Sequence, residues 1–124
     1  MRKILVICFI LMISLLKAQE IAVRKVLIAF EDTKFKKELV KEMKTILEKE
    51  GLVVTETDHS KKGFAELDGA GYDLVFITNS GVNSKVRPWV TKWISENEKK
   101  TKIILHTTQR NDWEVKTSVI AVTS

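Results

Sequence analysis

This 124-residue chain has one cysteine, one proline, two histidines and five glycines. Cys8 lies inside an apolar N-terminal run, so everything after it is cysteine-free, which excludes disulfides, thiol nucleophiles and thiolate metal sites there. His59 and His106 stand in neither HxH nor HExxH spacing, and no metal site is expected. Gly-x-Ser-x-Gly is absent, so no nucleophile elbow is indicated. A concentrated basic stripe is missing as well. The formal charge is +5, but Arg2, Lys3 and Lys17 fall in the first eighteen residues; taking those three from the 21 cations leaves 18 against 16 acids. The remaining Lys and Glu interleave, which removes the electrostatic case for nucleic acid.

What is present begins with a leader. Arg2 and Lys3 form a positive n-region, residues 4–16 an apolar h-region, and Lys17-Ala18-Gln19 offers a small residue for cleavage. Residues 1–18 are therefore expected to be a secretory signal peptide, and residues 19–124 one domain exported to the periplasm or beyond the cell. The apolar run is shorter than the roughly 20 residues a spanning helix needs, so no stable membrane anchor is expected once the leader is removed. Hydrophobic content of 44% with 30% charge fits a folded domain of this length.

Apolar runs and periodic stretches alternate along that domain. Lys25 to Phe30 is a uniformly apolar, β-branched run that predicts a buried parallel strand. Asp32 or Thr33 can cap the next helix. There Leu39, Val40, Met43, Ile46 and Leu47 share one face, and Lys36, Lys37, Lys41, Lys44 and Glu48 take the other. Gly51 ends the helix. Leu52 to Thr57 predicts an edge strand, and Lys61 to Asp68 a short helix through Phe64 and Leu67. The central step follows: Leu74 to Ile77 as a strand, Thr78 to Ser84 as a polar loop, and a helix over Lys85 to Asn97 with Pro88 in its first turn. Val86, Trp89, Val90, Trp93 and Ile94 line one face of that helix, which places both tryptophans in the core. Lys102 to Leu105 and Val119 to Val122 predict the last two strands.

Strands separated by helices and joined by right-handed crossovers give a doubly wound parallel sheet in three αβα layers, with strand order 2-1-3-4-5. Helix signal is weak between His106 and Ser118, which leaves the fifth strand without an obvious cover. Either a protein partner or a homodimer contact is expected to cover it, or the chain is a shortened version of a longer domain; Trp113 is expected to plug the gap, the alternative being a lid over the crevice.

KVLIAF with its polar turn into a helix, the YDLVFITNSG step with Pro88 and an aromatic beyond it, and the final IAVTS together resemble the flavodoxin-like family over residues 25–124. The resemblance implies a flavin mononucleotide (FMN) cofactor, its phosphate held by a hydroxyl-rich, Gly-containing first loop and its ring stacked by an aromatic of a later loop. Here the first loop reads EDTKFKK. Thr33 matches a hydroxyl position, Lys34 stands where the family has glycine, and Glu31 and Asp32 place negative charge at the phosphate position. The loop NSGVNSK carries no aromatic. Receiver domains share the fold and the acidic pair, but this chain has Thr78-Asn79 where they need a phosphoacceptor aspartate.

In a doubly wound sheet, ligands lie beyond the carboxyl ends of the strands. The candidate ligand- or cofactor-binding residues are therefore Thr33, Lys34, Asn79, Ser80, Gly81, Arg87, His106 and Thr107. His106, ending its strand, is expected to project into the same crevice as Asn79 and Ser80; a structural histidine hydrogen-bonded to a neighbouring loop is the favoured reading, and a proton shuttle or metal ligand, which its near-neutral pKa would suit, the alternative. Arg87 can clamp a carboxylate or phosphate. The expected function is binding of a small anionic or flavin-type ligand without an assigned reaction; the alternatives are an FMN-dependent electron carrier and a partner-docking module.

Overall fold

The computed structural model describes residues 24–81, 85–109 and 113–124. Five strands, β1 (Lys25–Phe30), β2 (Val53–Asp58), β3 (Leu74–Ser80), β4 (Lys102–Thr108) and β5 (Ile120–Thr123), pair in parallel in the order β2-β1-β3-β4-β5. Helices α1 (Lys34–Lys49), α2 (Lys61–Ala65) and α3 (Pro88–Asn97) connect them. This is the doubly wound topology the sequence predicts, with β2 at one edge and β5 at the other.

Side-chain alternation along the strands sends alternate residues to two cores. Val26, Ile28, Leu74, Phe76 and Ile104 meet Leu39, Val40, Met43 and Leu47 of α1. Leu27, Ala29, Val75, Ile77, Ile103 and Leu105 meet Phe64, Val90, Trp93 and Ile94. Val26 to Ala29 are fully buried because β1 is covered on both faces, which is why its sequence reads as a continuous apolar run. Truncating such a residue, as in Leu27→Ala, is worth about 2–5 kcal/mol.

The connections are closed by local polar chemistry. Thr33 caps α1, its hydroxyl accepting from the Lys36 N–H at 3.2 Å, and Gly51 ends that helix at φ +85°, where a Cβ would be strained. Asp73 accepts from the Arg24 and Lys25 N–H groups at 2.9 Å each and so fixes the entry to β1 against the entry to β3. Asn97, buried in α3, accepts from the Gly69 N–H and donates to the Trp93 carbonyl, while the Trp93 indole donates to the Leu67 carbonyl. The return loop before β3 is thereby bonded to α3.

Several expectations are corrected. β3 runs to Ser80 rather than Ile77, Lys36 lies on the buried face of α1 rather than the polar one, and Ile46 is exposed. β4 runs to Thr108 rather than Leu105, because His106, Thr107 and Thr108 stay in register with Thr78, Asn79 and Ser80. Trp89 is only half-buried at the rim, whereas Trp93 lies in the core as expected. Trp113 does not plug a gap beside β5: its ring lies over Gly81, where a Cβ would come within 2.3 Å of it. Val115 and Val119 pack on the α3-side core instead, and β5 keeps Ala121 and Thr123 exposed.

Candidate functional site

The carboxyl ends of the strands carry a polar row. Ala29 pairs with Thr57 and with Ile77, so two residues further on Glu31, His59 and Asn79 fall beside one another; the His59 N–H donates to the Phe30 carbonyl at 3.0 Å and carries the pairing that far. Asn79 pairs in turn with Thr107, and Thr107 with Thr123. Alternation from Ile77 and Leu105 puts Asn79 and Thr107 on the α3 side of the sheet.

At the centre of the row Glu31 gathers three donors from three elements. Lys36 Nζ of α1 lies 3.0 Å from Oε1, the Ser80 N–H at the end of β3 donates to the same oxygen at 2.6 Å, and Arg87 Nη2, just before α3, reaches Oε2 at 3.2 Å. Lys36 is 2% exposed, Glu31 15% and Arg87 28%, so the cluster is largely withdrawn from water. Burial by itself would raise the Glu31 carboxyl, but the hydrogen bond and charge of Lys36, followed by the Ser80 N–H, hold it below the usual range. Burial lowers Lys36, against the pull of Glu31, and lowers His59 as well. With His59 neutral, Lys36, Arg87 and Glu31 sum to one surplus positive charge.

Around this cluster several buried polar atoms have no hydrogen-bond partner among the described residues. They are both amide atoms of Asn79, Thr107 Oγ1, His59 Nε2, Arg87 Nε and Trp89 Nε1. Asn79 and Thr107 are fully buried, and His59 is 7% exposed. Each such atom costs about 1–3 kcal/mol if nothing meets it, so a group of them in one place calls for an explanation. Trp89 links their surroundings: the Arg87 guanidinium lies 5.3 Å over its ring, His59 meets it edge-on at 6.2 Å, and it also lines a groove of about 240 Å³ with Phe64, Leu67 and Trp93.

The candidate residues divide clearly. Asn79, Ser80, Gly81, Arg87 and Thr107 come together at this rim, Ser80 through its N–H and Gly81 beneath Trp113. Thr33 lies at the same end, but its hydroxyl is spent capping α1, and Lys34 is exposed as the first residue of that helix. His106 is not in the crevice. As an interior residue of β4 it turns to the opposite face from Asn79, fully buried and stacked 6.1 Å from Phe76. Thr78 Oγ1 lies 3.0 Å from its Nδ1 and Ser124 Oγ 2.9 Å from its Nε2. Burial, then the charge of Lys36, lowers its pKa to about 4, so both ring nitrogens serve a neutral structural residue at pH 7.

Glu31, Lys36, His59, Trp89 and Trp113 are site residues absent from the candidate set. For Lys36 a signal existed. Positions 36, 39, 40, 43 and 47 form the buried stripe of α1, so a lysine at 36 was due to be buried and paired. Among the described residues no group of three His, Cys, Asp or Glu side chains is placed to hold a metal.

No protein-family model and no curated protein matches the chain. Among solved structures it is similar to a flavodoxin from the domain Archaea, over 81% of this chain and 83% of that one, with a TM-score of 0.53 and 10% sequence identity. That similarity shows a flavodoxin-like fold.

Proposed function

We propose that this domain binds a small ligand carrying one negative charge at the carboxyl ends of β1, β3 and β4, on the α3 side of the sheet. The observation that carries the reading is the set of unpartnered buried atoms on Asn79, Thr107, His59, Arg87 and Trp89. A carboxamide and a hydroxyl can match a ligand edge that both donates and accepts, and the unpartnered Nε–H of Arg87, beside one surplus positive charge, suits a carboxylate oxygen. Trp89, which lies beside Arg87 and His59, offers an apolar face to the rest of the ligand. No reaction is assigned. The reading includes export, with residues 1–18 as a cleaved leader, which N-terminal sequencing of the protein recovered from cell fractions tests.

The experiment is a melting-temperature titration of the purified protein with acetate, lactate, benzoate and riboflavin as probes. At least one probe is expected to raise the melting temperature of the wild type in a saturable way, and Arg87→Ala and Asn79→Leu to abolish the response. Probes without effect, together with an Asn79→Leu variant that loses stability like a core substitution, would overturn the reading. The flavodoxin-like fold favours a second reading, an electron carrier using FMN. It requires flavin absorbance in the visible from the protein as purified or after FMN addition; a colourless protein that leaves added FMN free excludes it.

A further inference from the structure

The geometry points to Glu31 as a built-in anion that occupies a three-donor anion site and keeps phosphate monoesters out of the rim. Lys36 Nζ, the Ser80 N–H and Arg87 Nη2 approach from α1, β3 and the start of α3, and all three end on one carboxylate at 2.6–3.2 Å. A guanidinium N–H, an ammonium and a backbone N–H meeting the two oxygens of one carboxylate are the donors an anion's oxygens require. In this chain the anion is covalently attached, one residue beyond β1. The turn that follows is engaged too: the Thr33 N–H donates to the Glu31 carbonyl, and the Thr33 hydroxyl accepts from the Lys36 N–H. FMN's phosphate therefore does not fit here while Glu31 stays in place, although the fold is shared with a flavodoxin.

Charge counting sets the selectivity. With Glu31 in place the cluster holds one surplus positive charge, which a monoanion neutralises. A phosphate monoester, nearly dianionic at neutral pH, would leave the cluster net negative and would compete with Glu31 for the same three donors. Without the Glu31 charge, Lys36 and Arg87 together match a dianion. Glu31 is thus a specificity-determining residue of the ligand site proposed above, and the inference rests on that reading only in requiring that solutes reach the rim.

The test titrates orthophosphate, FMN and riboflavin into the wild type, Glu31→Ala and Glu31→Gln, with sodium chloride at matched ionic strength as the control for general screening. The wild type is expected to show no saturable rise in melting temperature with orthophosphate and to bind FMN no more tightly than riboflavin. Glu31→Ala, and to a lesser degree Glu31→Gln, should gain an orthophosphate response corresponding to at least about tenfold tighter binding than the wild type. Adding Arg87→Ala to either variant should remove the gain. The inference is overturned if orthophosphate stabilises the wild type as much as the variants, if wild-type FMN affinity exceeds that for riboflavin by about tenfold or more, or if folded variants gain nothing. Should neither variant fold, the wild-type comparisons decide alone. A monocarboxylate response lost in Arg87→Ala belongs to the binding reading, so the two can fail separately.

Discussion

Thr78 and His106 lie next to Asn79 and Thr107 in the same two strands, one residue apart and on opposite faces of the sheet. All four are fully buried. On the α1 face the polar atoms form a closed chain, Thr78 to His106 to Ser124, with both imidazole nitrogens engaged. On the α3 face Asn79 and Thr107 present three side-chain atoms that meet no partner among the described residues. The first arrangement is what stability selects, since a satisfied polar network stiffens a sheet end. Under the binding reading proposed above, the second is kept for a ligand that supplies the partners the described residues do not.

Lys36 offers the largest test of this comparison, because it stands between the faces, paired with Glu31 on one and setting the charge near His106 on the other. Lys36→Ala leaves Glu31 with Arg87 and Ser80 only and opens a void under α1. A loss of about 3–5 kcal/mol is expected in urea denaturation. Lys36→Met, which keeps the packing, should recover part of that loss, and a Lys36→Ala protein as stable as the wild type would show the pair to be ornamental.

Acid should act through the satisfied face. His106 has a lower proton affinity folded than unfolded, so the unfolded chain binds more protons and acid favours unfolding. Its contribution is intact above pH 6.5 and is lost as the pH falls toward about 4, amounting to on the order of 3 kcal/mol. His59, also lowered, adds to the same slope. The His106 share is the part that disappears in His106→Leu, measured as the difference between the two denaturation curves across that pH range. Equal slopes would show that His106 titrates normally.

Thr78→Val attacks the closed chain more gently. It keeps the side-chain volume and strips the partner from His106 Nδ1, leaving a buried nitrogen unmatched. A loss of about 1–3 kcal/mol is expected, read from the urea midpoint at unchanged slope.

How far the sequence foretold this comparison depends on which interactions are local. β1 and the first half of β3 were legible because they are covered on both faces and read as apolar runs, and the order followed from the short first crossover; Thr78 to Ser80 of β3 read as loop because they break that run. The end of β4 was not legible, because His106, Thr107 and Thr108 break the apolar run although threonine suits a strand; stopping at Leu105 sent His106 into the wrong space. Glu31 was recognised as hostile to phosphate. Its role was not recognised, because its partners Ser80 and Arg87 lie 49 and 56 residues further along the chain, beyond any spacing rule. Arg87 and Asn79 were found by topology alone, since a doubly wound sheet gathers the carboxyl ends of its strands at one rim.

The smallest effect expected is also the most discriminating, because its sign is opposite to that of Thr78→Val. Thr107→Val changes one hydroxyl for a methyl on the strand beside Thr78, at nearly constant volume. If Thr107 Oγ1 is held unpartnered for a ligand, removing it relieves the cost of a buried, unmatched oxygen, and the ligand-free protein should gain up to about 1 kcal/mol. The same substitution should weaken the response to whichever probe stabilises the wild type. Gain in stability with loss of binding is the signature of an atom kept for function. A loss of stability like that of Thr78→Val would instead mean that Thr107 is bonded within the fold, and the two faces of the sheet would then follow the same rule.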